Sequence, residues 1–353
     1  MLAALQQAQL PTWPVDVGPL LPAHRADLPV RSDIPPPGVP LVLHVNSPLL
    51  PLLLYRAPRS LVRGRRIIGY WVWELPSAPR DWSIGAGFVH EAWVPSQFCA
   101  DALETLLPGR VRVVPHPLAA VPPIPAALDR AAFGLPPDAV VVLVSFNLAS
   151  SLERKNPLAA IAAFRAAFGD RPDRILVMKV GNPDHFPADF ARIAAAVAGA
   201  PNVRLETRVL APAERHALTA SCDIVLSLHR SEGFGLVLAE AMLLGRPVIA
   251  TGWSGNMTFM DGNCAALVAY RLVPTHDPRR VYANSVWAEP SQDSAVALLR
   301  RLADDQVARG ALGAEGRATA LARLGVAPLL AAANSPGHSA SQMASSIAQD
   351  PSQ

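Results

Sequence analysis

Residues 231–250 read Ser-Glu-Gly-Phe-Gly-Leu-Val-Leu-Ala-Glu-Ala-Met-Leu-Leu-Gly-Arg-Pro-Val-Ile-Ala. This stretch predicts a glycine-containing turn, then an apolar helix that ends near Gly245, then a short apolar strand that begins at Pro247. Gly233 and Gly235 let backbone N–H groups approach a ligand closely. The N-terminus of the helix that follows favours an anion such as phosphate at the same place.

Two glutamates stand in different parts of this stretch. Glu232 lies in the turn, and Glu240 lies inside the helix among apolar residues, where a buried carboxylate needs partners. Each has an ordinary explanation when taken alone, because an acidic residue before a helix complements the helix dipole and a glutamate in a helix can face water. Two fixed carboxylates beside an anion site instead suit a ligand with sugar hydroxyls at both ends and a diphosphate between them. That describes a nucleotide sugar.

The order of the residues adds a resemblance to a known family. Glu232 and Glu240, separated by seven residues and followed by Ala-Met-x-x-Gly-x-Pro-Val-Ile-Ala, resemble the donor-site signature of retaining glycosyltransferases of the group 1, or family 4, type. The resemblance covers residues 135–305 well and 40–120 moderately. It implies an α/β protein with the GT-B fold, in which two Rossmann-like parallel-sheet domains face a cleft.

Length and composition agree with such a protein. A chain of 353 residues favours two domains. Apolar residues make up 51% and charged residues 17%, which supplies ample material for large cores. The net charge of +3 is too small to indicate nucleic acid as a partner.

The cysteines and the hydropathy pattern bear on location. Cys99, Cys222 and Cys264 lie far apart and fit neither a disulfide framework nor a zinc site, which favours a reducing compartment. The first residues lack the basic start and apolar run of a signal peptide, and no run of about 18 apolar residues predicts a transmembrane helix. We therefore expect a cytoplasmic protein, either free or peripheral on the cytoplasmic face of the inner membrane.

The N-terminal half alternates short apolar strands with helices, which predicts a parallel sheet. Strands are predicted at 40–45, 67–73, 91–95 and 111–114, and a helix at 97–107 with Ser96 as its N-cap. We assign residues 1–120 to an acceptor-side domain and the proline-rich residues 121–134 to a linker.

The start and end of the chain depart from the family pattern. Relatives begin with a strand, a glycine-rich loop and a helix, whereas this chain opens with Met-Leu-Ala-Ala-Leu-Gln-Gln-Ala, which looks like the end of that helix. We therefore expect an N-terminal truncation that removes the first strand and the loop. The C-terminal end also looks short for the helix that crosses back onto the first domain in relatives.

A second α/β unit, residues 135–332, is predicted to bind the donor. Its predicted strands are 140–145, 174–180, 203–206, 223–227 and 247–250, and its predicted helices are 157–168, 212–220, one after the 231–235 turn, 293–303 and a small one around 306–324. Residues 333–353, rich in Ser, Ala, Gln and Pro, are predicted to be a disordered tail.

A second charged element, Glu153-Arg154-Lys155-Asn156-Pro157, stands between a predicted strand and the N-terminus of a predicted helix. Arg-Lys pairs are more often solvated turns, but a lysine and an arginine here can also bind diphosphate oxygens. The resemblance favours binding, because Lys155 falls on the family lysine that neutralises the leaving diphosphate. The family arginine stands several residues earlier, in a segment that contains no arginine here, so Arg154 is the candidate to replace it.

These cations, with the helix dipole, would stabilise a leaving diphosphate without a metal. The chain contains no Asp-x-Asp pair of the metal-binding kind, and the adjacent Asp304 and Asp305 are expected to be solvated. We therefore expect no cofactor and no metal site.

The resemblance assigns further donor-site roles. Glu232 would contact hydroxyls of the donor sugar, and Glu240 would contact the ribose. The turn that contains Asn256 would face the donor, and an ordinary strand-to-helix turn is an equal alternative for it. The remaining donor-side candidates offer mainly backbone groups: Gly233, Phe234, Gly235 and Leu236 around sugar and phosphate, Leu210 in the loop 208–215 around the base, and Asn256 in the turn 254–256.

The acceptor side carries a weaker signal. Gly-Tyr-Trp-Val-Trp-Glu-Leu-Pro, starting at Gly69, resembles the strand and loop where many relatives carry His-Asp. Glu74 occupies that place and is the candidate for acceptor orientation or acid/base assistance. Trp73 and His44 are further acceptor-side candidates, since a Trp ring can stack on a sugar. His116 and His229 are expected to be structural.

The resulting functional hypothesis is transfer of a hexose, with retention, from a nucleotide diphosphate sugar to a saccharide or lipid-linked saccharide acceptor. General similarity to bacterial polysaccharide mannosyltransferases favours GDP-mannose as the donor. Two alternatives remain: a non-catalytic, degenerate glycosyltransferase that binds a nucleotide sugar or a partner protein, and an epimerase on the same fold.

Overall fold

The structure, a computed structural model, describes residues 1–21 and 35–335. Its strands form two parallel sheets and one two-stranded antiparallel ribbon. The strands are β1 Leu41–Leu43, β2 Ile67–Tyr70, β3 Glu91–Val94, β4 Val111–Val113, β5 Val140–Asn147, β6 Arg174–Gly181, β7 Val203–Glu206, β8 Ile224–Ser227, β9 Val248–Thr251, β10 Ala266–Val268, β11 Tyr270–Pro274 and β12 Val286–Pro290.

Thirteen α-helices lie within the same described ranges. They are α1 Leu2–Gln7, α2 Leu50–Arg56, α3 Arg59–Val62, α4 Trp82–Ala86, α5 Gln97–Leu103, α6 Leu152–Lys155, α7 Pro157–Phe168, α8 Pro187–Val197, α9 Pro212–Ser221, α10 Leu236–Leu243, α11 Gln292–Asp304, α12 Gln306–Arg323 and α13 Ala327–Ala333.

The first sheet has the order β1-β2-β3-β4, with all neighbours parallel. Every residue of β2 and β3 is buried, which is typical of strands covered on both faces. The predicted strand 67–73 ends earlier, at Tyr70, and the predicted helix 97–107 ends at Leu103. Ser96 caps that helix as predicted, because its hydroxyl accepts a hydrogen bond from the Cys99 N–H.

The second sheet has the order β10-β9-β8-β5-β6-β7, again with all neighbours parallel. Helices α7, α8 and α11 contribute side chains to the core on one face, and α9, α10 and α12 contribute to the core on the other. Alternate residues of β5 divide between the two cores, as the two-residue period of a strand requires. The predicted helix at 157–168 is confirmed residue for residue, whereas the predicted small helix near 306–324 is an 18-residue helix.

Two elements join the halves of the chain, and neither was predicted. The β11–β12 ribbon and the loop between its strands insert Tyr282 and Trp287 into the core of the first sheet. Helix α13 places Leu329 and Ala332 against Ile68 and other side chains of that sheet. The expectation that the C-terminal end is too short to cross back was therefore wrong, since the seven residues of α13 make that contact.

The cysteines, the helix lengths and the ends of the chain were also subjects of prediction. The three cysteines are free and buried there, and no helix in residues 1–21 and 35–335 has the length and apolar character needed to cross a membrane. Residues 2–7 form a helix, as predicted. Most of the predicted disordered tail, 336–353, lies outside the described residues.

Candidate functional site

The turn 231–235 lies where the carboxyl ends of strands from both sheets meet. It follows β8, and it packs on the segment that follows β2. A Cβ at Gly233 would come within 2.5 Å of the Val72 side chain and 3.1 Å of the Trp73 carbonyl oxygen. The Ser96 hydroxyl donates a 2.6 Å hydrogen bond to the Gly233 carbonyl. Only glycine fits here, because the two halves of the protein touch through its backbone.

Gly235 sets the start of helix α10. Its φ is +96°, a left-handed conformation that favours glycine, and it is the N-cap of the helix. Leu236, the first helical residue, is 46% exposed. The Leu238 and Ala239 N–H groups bond to the Gly235 carbonyl, and the positive end of the helix at this first turn favours an anion.

Phe234 differs from its neighbours because its side chain is buried and packs against the rings of His116 and Phe259. Its ring is a core element, so only its backbone remains for the predicted donor contact.

Four side chains predicted to be catalytic lie together. Lys155 and Glu232 form an ion pair. The Arg154 guanidinium lies 3.3 Å from Glu232 Oε2 and 3.4 Å from Glu74 Oε1. These residues come from α6, from the turn before α10 and from the loop after β2, so three distant parts of the sequence build one charged cluster.

The two cations of the cluster differ in exposure. The Arg154 side chain is 3% exposed, whereas Lys155 retains 19%. Arg154 also donates to the Ser231 carbonyl at 2.8 Å and to the Tyr282 hydroxyl at 3.1 Å. Each guanidinium nitrogen thus has a protein acceptor. Lys155 is the cation that a ligand can reach more readily.

Tyr282 also belongs to the cluster, although it was not among the predicted site residues. Its hydroxyl lies 3.3 Å from Glu74 Oε2 and accepts the bond from Arg154. Asp277 holds the loop that carries it, since its carboxylate accepts hydrogen bonds from the Val281 and Tyr282 N–H groups. The available signal was the turn-forming Asp-Pro and Asn-Ser pairs between two short apolar runs, which are typical of a hairpin.

The charges of the cluster fix the ionisation of Glu232. Burial alone would raise the pKa of this carboxyl, but Lys155 and Arg154 outweigh burial and lower the pKa to about 2. Glu232 is therefore a carboxylate at neutral pH. It can accept hydrogen bonds from hydroxyl groups and balance a nearby positive charge.

Glu240 lies one turn further along α10 and is less enclosed. Its side chain is 22% exposed, and its Oε1 lies 3.7 Å from His216 Nε2 and 3.9 Å from an Arg215 nitrogen. Leu210, in the loop before α9, packs beside the core that contains α10. The predicted ribose and base contacts thus lie on one side of the helix.

Asn256 is completely buried, and its amide is engaged with protein groups. Its Oδ1 lies 3.1 Å from His229 Nε2, and its Nδ2 donates to the Thr251 carbonyl at 3.1 Å. The Ser254 hydroxyl in the same turn accepts from the Glu232 N–H at 2.9 Å. The side chain of Asn256 therefore supports the 231–235 turn and does not face a ligand. His229 is buried and hydrogen-bonded, which agrees with a structural role.

The acceptor-side candidates Trp73 and His44 differ in their exposure to solvent. The Trp73 ring is 7% exposed, and its Nε1 donates to the Ser77 carbonyl at 2.8 Å. The ring therefore packs in the core and offers no open face to a sugar. His44 is exposed and stacks on Tyr70, with ring centroids 4.8 Å apart. Burial lowers the pKa of His116, which contacts Tyr70 and Phe234, to about 4.

The next feature is the placement of side chains that could bind a metal. Within residues 1–21 and 35–335, no group of three or more His, Cys, Asp and Glu is placed to hold a metal ion. Asp304, expected to be solvated, is 61% exposed and lies 2.8 Å from Arg174.

Comparison with known proteins finds a family match for one part of the chain and a shared fold for most of it. Residues 140–286 match the family described as glycosyl transferases group 1. An Anabaena protein, HepE, solved in complex with UDP and glucose, superposes with a TM-score of 0.60 at 15% identity over 87% of this chain and 77% of that chain. Sucrose-phosphate synthase from Thermosynechococcus elongatus gives 0.62 at 18% identity, over 87% and 73% of the two chains. The chain has the GT-B fold, and its residues 140–286 are similar to group 1 glycosyl transferases.

A relative in sequence is D-inositol 3-phosphate glycosyltransferase from a Nocardioides species. It is 30% identical over 232 residues, which are 60% of this chain. The chain spans 50% of the length of that relative.

Proposed function

We propose that this chain transfers a hexosyl group, with retention at the anomeric carbon, from a nucleoside diphosphate sugar to a saccharide acceptor. The observation that carries the proposal is the pairing of Lys155 with Glu232 beside the first turn of α10. A cation, a carboxylate and the N-terminus of α10 thus lie near the carboxyl ends of strands. Ligands of open parallel sheets bind at such ends.

Each part of this arrangement has a task in the reaction. Breaking the bond between sugar and phosphate leaves negative charge on the nucleoside diphosphate and positive charge on the sugar. Lys155 and the N-terminus of α10 stabilise the leaving diphosphate. Glu232, ionised at neutral pH, accepts hydrogen bonds from donor-sugar hydroxyls and stabilises the positive sugar.

Arg154 and Glu74 have different tasks in this proposal. Arg154 is a positioning residue, because its nitrogens are bonded to Glu232, Glu74, Ser231 and Tyr282. It orients the two carboxylates, and with Lys155 it lowers the pKa of Glu232. Glu74 is 23% exposed and comes from the first sheet, so it is the carboxylate placed to orient an acceptor hydroxyl.

The donor hexose has two candidates. GDP-mannose is the donor favoured by sequence, and a UDP-hexose is supported by the fold shared with HepE, which was solved with UDP and glucose. The proposal places no metal in the reaction and a saccharide or lipid-linked saccharide as acceptor, with polysaccharide or glycan synthesis in the cytoplasm as its setting. The name of the Nocardioides relative makes an inositol phosphate a further acceptor to test.

The proposal can be tested with the full chain. Nucleoside diphosphate release is measured from UDP-glucose and from GDP-mannose, with a chelator and with candidate acceptors. We expect release from one donor, lost in Lys155→Met and kept in Arg165→Met, which removes an exposed charge on α7. Binding of a nucleotide sugar without any turnover would identify a non-catalytic binding protein. No binding of either donor would refute the proposal.

A further inference from the structure

Lysine occurs only twice in the 353 residues, at positions 155 and 179, although the chain has 31 basic residues. Both lysines are buried or nearly so, and both lie near the carboxyl end of a strand of the second sheet. Lys155 has a place in the proposed reaction. Lys179, in β6, has none so far and is 8% exposed.

The ammonium of Lys179 has little to bind in the protein. Its one hydrogen bond with another described residue is a 3.5 Å contact with the carbonyl of its neighbour Val180. Glu206 is paired with Lys179 in the β6–β7 register. Glu206 is committed elsewhere, because it accepts bonds from the Arg208 Nε and backbone N–H at 2.9–3.0 Å. A buried cation whose one hydrogen bond is this long is costly, which points to a ligand.

The face of the sheet on which the Lys179 side chain lies follows from the alternation of residues along β6. Val177, two residues earlier, belongs to the core that contains α10, so Lys179 lies on the same face of the sheet. Burial lowers the pKa of Lys179 first, and Arg215 and Arg208 lower it further against the opposite effect of Glu206. Arg215 is also the residue 3.9 Å from Glu240. Lys179 therefore lies on the face of the sheet that α9 and α10 cover, and Glu240 of α10 faces α9.

The strand order gives a scale for the donor. The turn 231–235 follows β8, Lys155 follows β5, and the loop 208–211 follows β7. Lys179 lies in β6, two residues before its end. These four strands are consecutive in the sheet. Three strand spacings cover about 14 Å, which suits an extended nucleoside diphosphate. In the loop after β7, Val209 is fully exposed and Leu210 packs inward. An exposed aliphatic side chain there can cover the face of a base.

We infer that Lys179 reads the nucleobase of the donor by donating to an exocyclic carbonyl oxygen, at C4 of uracil or C6 of a 6-oxopurine. An ammonium has three donors and no acceptor, so it matches an oxo group and opposes the amino group of cytosine or adenine. The inference rests on the proposed function and assigns Lys179 as a specificity residue of the same site.

Matched nucleotide pairs test this assignment by calorimetry on the full chain. UDP is compared with CDP, and IDP with ADP, because the members of each pair differ at the exocyclic group concerned. We expect the oxo member of at least one pair to bind more tightly by a factor of about 10 or more. This factor corresponds to the free energy of a hydrogen bond to a charged group. Lys179→Met should abolish the preference, and the exposed-site control Arg165→Met should keep it. A preference that survives in Lys179→Met would overturn the inference.

Because the chain has only two lysines, nucleotide binding can also be followed by NMR on the wild-type protein. Protein labelled with ¹³C at lysine Cε has two lysine signals, assigned with Lys155→Arg and Lys179→Arg. On adding the preferred nucleotide, both signals should shift, and the pKa of Lys179 should rise because the ammonium gains an acceptor. A Lys155 signal that shifts beside an unmoved Lys179 signal would refute the role of Lys179 and leave the proposed function standing. If neither signal moves with any nucleotide, both proposals fail.

Discussion

Glu74 and Arg154 belong to different sheets, and their side chains meet with Oε1 and a guanidinium nitrogen 3.4 Å apart. Glu74 follows the second strand of the first sheet, and Arg154 follows the first strand of the second sheet. Arg154 in turn contacts Glu232, which follows a third strand. The contact therefore couples the residue proposed to orient the acceptor to the residue proposed to hold the donor sugar.

The first prediction concerns Glu74. Glu74→Gln keeps the shape and an acceptor atom but removes the charge that orients an acceptor hydroxyl. We expect turnover to fall about 100-fold or more, as for other carboxylates that assist proton transfer, while nucleoside diphosphate affinity stays unchanged. Steady-state kinetics with calorimetry measures both quantities.

A matched control exists in the same sheet. Glu91 is buried, and it pairs with Arg66 at 2.6 Å and accepts from the Trp93 indole at 2.8 Å. Glu91→Gln should lower stability and leave turnover per folded molecule intact. Equal losses of turnover in both variants would mean that Glu74 is only structural.

The second prediction separates Lys155 from Arg154. Lys155→Ala should weaken nucleoside diphosphate binding by about 1.5–3 kcal/mol, the range for hydrogen bonds to charged groups, with a small effect on folding. Arg154→Ala should destabilise the fold by about 3–5 kcal/mol, because two carboxylates lose the buried cation between them. Calorimetry and urea unfolding give the two numbers. A stable Arg154→Ala protein that loses only diphosphate affinity would contradict the positioning role.

The third prediction concerns acid stability. The folded-state pKa of Glu232, about 2, lies below the ordinary value of 4.5. Such a group contributes stability that is present above pH 4.5 and is lost as the pH falls towards 2. The difference corresponds to about 3 kcal/mol. The free energy of unfolding should therefore fall more steeply in the wild type than in Glu232→Gln over this window. Parallel pH curves for the two proteins would contradict the charge state assigned to Glu232.

Much of the second sheet could be predicted from sequence, because its strands are continuous apolar runs and its helices carry clear starts such as Pro157. The charged cluster could be predicted only in part. Lys155, Arg154 and Glu232 stand in local motifs, but their contacts depend on how β5 and β8 pair. Tyr282 could not be predicted, because its place depends on the β11–β12 ribbon folding back onto the first sheet.

The role of Trp73 could not be decided from the sequence. A tryptophan near a strand end suits both a core and a sugar platform, and the sequence does not distinguish them. The strand ends at Tyr70 instead of Trp73, and the chain then turns the indole towards Trp82 and Tyr282. Burial of that ring is a tertiary outcome, since its neighbours come from distant segments. The same holds for Asn256, whose amide is fixed by Thr251 and His229.

The last prediction separates the two glutamates of the 231–250 stretch. Glu232 lies in the turn beside the proposed diphosphate and sugar, and Glu240 lies four residues beyond Leu236, about 6 Å further along α10. Glu240→Gln should weaken binding of the free nucleoside diphosphate, because the ribose hydroxyls lose a charged acceptor. Glu232→Gln should leave that affinity nearly unchanged and should reduce affinity for the intact nucleotide sugar and turnover. Calorimetry of both variants with both ligands decides the matter. If Glu232→Gln lowers affinity equally for both ligands, Glu232 supports the turn and does not hold the sugar.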